Sequence, residues 1–357
     1  MKDEKDWKED VLRHLRGVFE ELDINHDGVL QKEEVQDYHR QKSGESSDIE
    51  AQVVALFSFC FEEIGKLNKE SWFEKRNGIT FGDLLVLEQL LREEDVDSLS
   101  LDRKRLKAAA EAIMKRTREI YRLNPALYGS DGEALTSIRP VAVRRGNMGD
   151  CHFLAVLAAM AAMEPAALAS MIAVGEDGSY TVSFPGGVSG TGGGVRVKRP
   201  GVVELSLYGR LTRMGYWPMV LEKAVQSELE LSSVRKVVDP AFYMELLTGV
   251  PALMIDLGGI TPDLISSTIF EYRQRPIVAV SASTSLAKGL NPAHAYSVIA
   301  VDSAGPSTVR ITLRDPFGPK HPAATSSGRL KDGMFSLDPV EFAGSIQKLF
   351  IAGSKRH

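Results

Sequence analysis

The stretch Arg145-Gly-Asn-Met-Gly-Asp-Cys151-His-Phe-Leu-Ala-Val-Leu-Ala-Ala-Met160 constrains this chain more than any other. A Gly-rich turn runs straight into an apolar, Ala- and Leu-rich segment that meets no breaker until Pro165. Gly146 and Gly149 permit a tight backbone, and Asp150 stands where it would cap the following helix. The pattern predicts a largely buried helix with Cys151 in its first turn. Unpaired N–H groups and the positive end of the helix dipole favour a thiolate at that position. The chain's other cysteine, Cys60, lies between Phe59 and Phe61 and reads as core. Packing alone would also suit a small apolar residue at a helix start, so the case for Cys151 as a nucleophile depends on partners elsewhere.

A nucleophilic thiol needs a base and a group to orient that base. The chain has seven histidines. His14, His26 and His39 lie in or beside an acidic N-terminal loop, His357 is terminal, and His321 is in a Pro-flanked loop. His152 follows Cys151 directly, and adjacent side chains on a helix do not face each other. His294 remains, in Asn291-Pro-Ala-His-Ala-Tyr-Ser-Val298, where a loop enters a strand. The next strand ends in Leu313-Arg-Asp-Pro-Phe-Gly318, and antiparallel neighbours would bring Asp315 to His294. A carboxylate there accepts the imidazole N–H, fixes the tautomer and stabilises the charged ring.

The front of the chain has a different character. Residues 1–100 carry 25 acidic against 13 basic residues, while the rest carry 23 against 30. An acidic front on a mildly basic body points to a cation-binding module joined to a core, and no basic patch with interleaved aromatics points to nucleic acid. Val11, Leu12, Leu15, Val18, Phe19 and Leu22 recur at helical spacing and lead into Asp23-Ile-Asn-His-Asp-Gly-Val-Leu-Gln-Lys-Glu-Glu34. This fills every position of an EF-hand loop. Asp23, Asn25 and Asp27 offer side-chain oxygens, Val29 a carbonyl, Gln31 the water-bridged position, and Glu34 both carboxylate oxygens to Ca2+. Such loops come in pairs. Asn77-Gly-Ile-Thr-Phe-Gly-Asp83 resembles the second half of another, and pairing Ile79 with Leu30 would put its first position on Trp72. Asp83 would then stand in for the closing Glu, so the second hand is expected to bind no metal.

Leu101–Leu123, with Leu106, Ala110, Ile113, Met114 and Ile120 on one face, reads as a helical linker over residues 101–124. Ile138–Val143 reads as an extended approach to the Cys turn. Ser179–Phe184 alternates like a strand, and Gly186–Gly194 lacks the ending of a phosphate loop and reads as a surface loop. A helix begins at Tyr216; from Ile277 strands dominate, at Ile277–Ala282, Ala295–Val301, Thr308–Leu313 and Met334–Leu337. The charged start has no signal-peptide core, no run reaches membrane-spanning length, and two cysteines give no disulfide framework. A cytoplasmic, intracellular protein without stable membrane insertion is expected.

Taken together, Arg145–Met160, Leu221-Glu-Lys-Ala224, His294-Ala-Tyr-Ser-Val298, Arg314-Asp-Pro-Phe-Gly318 and Asp332–Phe342 resemble the calpain-type, papain-like cysteine proteases, in that family's order, across residues 125–351. The resemblance implies an α+β fold: a two-lobed core over 125–357, with a helical Cys lobe (125–240) and a β-rich His/Asp lobe (241–357), preceded by an all-α EF-hand pair over 1–100. It implies that Cys151 attacks a peptide carbonyl of protein substrates, that His294 activates it and protonates the leaving amine, and that Asp315 orients His294. It also implies that calcium aligns the two halves of the core, whose own calcium ligands the sequence does not reveal. The regulatory partner is likewise not identified.

The chain departs from the family at four places. The oxyanion-hole Gln is replaced by Arg145, leaving Arg145 or Asn147, with the Cys151 N–H, as candidate donors; one lost donor costs about 3 kcal/mol. The orienting Asn is Asp315, the Trp after the Cys is His152, and the Trp after Asn-Pro is Phe317. The expected function is a calcium-regulated endopeptidase. The alternative is a calcium-binding pseudoprotease acting as an interaction or regulatory protein, favoured by Arg145. Acyl transfer of the transglutaminase kind is a third possibility that the Gly-Asp-Cys turn and the motif order oppose.

Overall fold

The computed structural model describes residues 4–35, 38, 48–68, 78–123, 125–146, 150–187, 194–231, 239–284, 290–303, 309–318 and 331–353. The chain divides into two compact units, residues 1–125 with 200–207, and residues 126–199 with 208–357. In the first unit the helical spacing at its start becomes the helix Glu4–Leu22, whose Val11, Leu12, Leu15, Val18, Phe19 and Leu22 are all buried. The helix Asp48–Phe59 is apolar almost all round and lies at the centre of the core, with Val53, Val54, Ala55, Leu56 and Phe57 wholly inaccessible. Strand β1 (Val29–Leu30) pairs antiparallel with β2 (Ile79–Thr80), and Leu30 stands opposite Ile79. Position 72 lies outside the described residues.

The helix Leu101–Leu123 belongs to this unit. It buries Leu106, Ala110, Ile113 and Met114 in the same core. Its Lys107 is buried too, and Nζ donates to the carbonyls of Leu90, Leu91 and Glu93 at 3.0, 3.1 and 2.7 Å. The cation thus satisfies the last carbonyls of the helix Phe81–Arg92, where the dipole favours positive charge.

The second unit has a helical part and a sheet part. Strands β3 (Ile172–Val174), β4 (Tyr180–Val182) and β5 (Val195–Val197) form a small antiparallel sheet packed on the helix Trp217–Leu231, and the helical part also holds Cys151–Met163 and Pro240–Thr248. A six-stranded antiparallel sheet follows. It contains β6 (Leu253–Asp256), β7 (Ile277–Ser281), β8 (Ala295–Ser303), β9 (Val309–Arg314), β10 (Met334–Leu337) and β11 (Ile346–Ile351), in the order β10-β9-β8-β7-β11-β6. This mixture of helix and sheet suits an α+β cysteine protease core. The helix Cys151–Met163 buries every side chain from Phe153 to Ala161 and packs on β8, where Ser297 Oγ donates to the Ala155 carbonyl at 2.7 Å.

One local expectation fails, and one strand goes unannounced in the sequence. Ile138–Val143 is not extended, because Pro140 presets a helical φ and opens the 3-10 turn Pro140–Ala142. The edge strand β6 carries no alternating burial that would announce it, since Leu253, Met254 and Asp256 are all exposed. Positions 188–193 of the Gly-rich loop lie outside the described residues. No single described helix is long and apolar enough to cross a membrane.

Candidate active site

Cys151 is the first residue of its helix and is half-buried. The N–H groups of a helix's first turn have no partner within the helix, so they face whatever sits at its mouth. Asp150 occupies the N-cap position, but at φ −94° and ψ 37° its side chain makes no capping hydrogen bond, contrary to the expectation above. Its carboxylate is instead buried beside Glu222. Burial raises the Asp150 pKa against the opposing influences of Glu222 and Arg145. Glu222, itself buried, accepts the Gly209 N–H at 2.8 Å. Residue types alone do not announce this pairing, since 72 residues separate the two positions.

His294 directly precedes β8. Ala293 adopts a left-handed φ of 48°, the His294 N–H donates to Ser281 Oγ at 2.9 Å, and Ser281 Oγ donates to the Asn291 carbonyl at 2.7 Å. The imidazole is only 5% exposed. Tyr296 meets it edge-on at 4.9 Å between centroids, and Phe317 stacks on its face at 5.3 Å and 22°. Antiparallel pairing of β8 with β9, Ser297 opposite Arg314, carries the following residue, Asp315, to the ring. His294 Nε2 and Asp315 Oδ1 are 3.0 Å apart, with Asp315 fully inaccessible. Oδ1 also accepts the Phe317 N–H at 2.8 Å, and Oδ2 faces Asn291 Nδ2 at 3.4 Å. Asn291 and Ser281 are supporting residues that no local sequence signal marks.

With Nε2 taken by Asp315, the ring's other nitrogen is left for Cys151, with which His294 shares a hydrogen bond. Burial pulls the imidazole pKa down, but the hydrogen bonds to Asp315 and Cys151 and their charges outweigh it and lift His294 to about 9. Burial likewise pushes the thiol up. The hydrogen bond and charge of His294, the Ala295 N–H and the charge of Arg145 reverse this, and Cys151 ends below its ordinary value. The pair titrates as a unit. Such an arrangement favours a thiolate beside an imidazolium, the chemistry a nucleophile needs next to an acid able to protonate a leaving group.

Of the two oxyanion candidates, Asn147 lies outside the described residues. Arg145 donates its backbone N–H to the Pro316 carbonyl at 2.7 Å, and its guanidinium carbon lies 4.5 Å from the Phe317 ring centroid.

In the first unit, the acidic loop is folded around its own backbone. Asp23 Oδ1 and Oδ2 accept the N–H groups of Asp27 and Gly28 at 3.2 and 3.0 Å. Glu34 accepts those of Asn25 and Gln31 at 3.2 and 2.9 Å, and Asp27 Oδ1 accepts that of Val29 at 2.8 Å. Gly28 sits at φ +77°, which a side chain would strain. Among the described residues no three His, Cys, Asp or Glu side chains are gathered as a ready metal site. The donors nevertheless fit a hard cation in kind: three carboxylates, an amide and the Val29 carbonyl, all oxygen. Asp83 is different. It is fully buried and forms a capping box with Thr80 while accepting the Asn68 N–H at 2.8 Å.

A family model described as calpain family cysteine protease matches residues 93–327, about two thirds of the chain. No curated protein matches it.

Proposed function

The chain belongs to the calpain family of cysteine proteases, and from that premise we propose that it is a calcium-regulated endopeptidase working through Cys151, His294 and Asp315. The single observation that carries this reading is the line from Cys151 through a buried imidazole to a buried carboxylate 3.0 Å from Nε2. In the proposed reaction the Cys151 thiolate adds to the peptide carbonyl carbon, and the oxyanion meets the Cys151 N–H. His294 gives its proton to the departing amine, leaving a thioester. Neutral His294 then takes a proton from water, the hydroxyl adds to the thioester, and Cys151 departs as thiolate while His294 is again charged. Asp315 holds the ring and offsets its charge throughout.

Calcium enters at two places. The loop of Asp23, Asn25, Asp27, Val29, Gln31 and Glu34 would hold one ion. The resemblance also implies an ion in the core, whose ligands the sequence does not reveal. Protein substrates are the proposed partners.

A second reading, a calcium-binding protein with a silent protease fold, draws on Arg145, whose guanidinium rests on Phe317. Hydrolysis of casein and quenched peptides by the full chain, with calcium and with chelator, decides between them. The first reading expects turnover lost in Cys151→Ala. The second expects none in either protein.

A further inference from the structure

The replacement of the family's Gln by Arg145 and of its Trp by Phe317 falls on two residues that touch. Arg145 grips the turn after β9 twice, through its backbone N–H to Pro316 and through its guanidinium on the Phe317 ring. That turn carries the triad carboxylate. The Phe317 N–H donates to Asp315 Oδ1, the same oxygen that faces His294 Nε2, and the ring stacks on the imidazole. Arg145, Phe317 and His294 therefore form one continuous contact from the Cys loop to the base. The neighbours on either side make the same crossing: Arg314 Nη2 donates to the Val143 carbonyl, and Arg144 Nη2 meets Asp332 Oδ1 at 3.1 Å.

Resting on the peptidase reading above, we propose that Arg145 is a positioning residue, which clamps the Asp315–Phe317 turn and presses Phe317 over the His294–Asp315 bond. An oxyanion donor would act on substrate; this role acts on the base. A cation over an aromatic face gains most when water is kept away, and Phe317 is the side chain that covers the buried pair. The groups facing the imidazole are Asp315, Cys151, Tyr296 and Phe317, with Arg145 beyond Phe317. His294, the Ala295 N–H and Arg145 act on Cys151, and the Tyr243 hydroxyl feels Asp150, Cys151 and Glu222.

The test is the pH dependence of Cys151 alkylation by iodoacetamide, read by mass spectrometry on the full chain, which requires no turnover. Arg145→Gln, Arg145→Lys and Phe317→Leu are compared with wild type. With the cover loosened, water weakens the His294–Asp315 pair, so the imidazolium gives up its proton at lower pH. The basic side of the profile should move down in Arg145→Gln and Phe317→Leu, by about three- to tenfold in proton affinity. The double variant should add little more. Arg145→Gln should also move the acid side up, because a charge favouring the thiolate is gone. Arg145→Lys keeps that charge and should move the basic side alone. Profiles identical to wild type would overturn the positioning role, and so would peptidase activity raised by Arg145→Gln with an unmoved profile. If wild-type Cys151 is not alkylated in preference to Cys60, the peptidase reading itself fails.

Discussion

Each compact unit holds one cysteine, and the two differ in almost every respect that sets reactivity. Cys60 is 2% exposed at the junction after the helix Asp48–Phe59, packed into the first unit's core. Burial, then the nearby Glu63 carboxylate, push its thiol up to about 12. Cys151 also pays for burial, yet His294, the Ala295 N–H and Arg145 more than offset it and bring the thiol below its ordinary value. Partners decide whether a partly buried thiol is chemistry or packing.

The sharpest break in the comparison is to delete each sulfur. Cys151→Ala should lower kcat/KM for peptide hydrolysis by at least about a thousandfold. Cys60→Ala should leave kcat/KM within about twofold and cost about 1 kcal/mol of stability through the void it leaves, seen as a lower Tm. Next is the partner: His294→Ala should slow alkylation of Cys151 at pH 6 by about a hundredfold, making it resemble Cys60. Asp315→Asn keeps a hydrogen bond to the ring but removes the charge that lifts His294. The wild-type kcat/KM should fall above about pH 9, where His294 loses the proton the leaving amine needs. In Asp315→Asn that fall should come at lower pH, with about a tenfold loss at pH 8. The smallest effect on the site comes from the first unit. Glu34→Gln should weaken calcium binding by about tenfold or more in calorimetry on the full chain. Cys151 alkylation measured in chelator should not change.

The same contrast shows what could be read in the sequence. The Cys helix was legible because Gly146, Gly149 and Pro165 punctuate it and its interior is uniformly apolar. The pairing of β8 with β9 was legible from two apolar segments of fitting length, and it brings His294 and Asp315 together. The role of Asp150 was misjudged, because a capping residue and a buried acid look alike until the position of Glu222 is known. The support of His294 by Ser281 and Asn291, and the seat of Arg145 on Phe317, depend on contacts across long sequence separation that local periodicity does not encode. The two acidic loops make the point in reverse. Glu34 and Asp83 each accept a backbone N–H three residues earlier, but the first loop opens on Asp23 and has Asp27 at its fifth position, where the second has Trp72 and Arg76. That difference was visible in residue types alone.

Cys151 should behave as an activated nucleophile, and one labelling experiment shows whether it does. The full chain is treated with a thiol-directed epoxide at pH 6, with calcium or with chelator, and both cysteines are quantified by peptide mass spectrometry. Activation at the helix start predicts labelling at Cys151, accelerated by calcium, while Cys60 stays unmodified until the protein is denatured. Absent labelling of Cys151 in both conditions, or labelling no faster than that of Cys60, would contradict it.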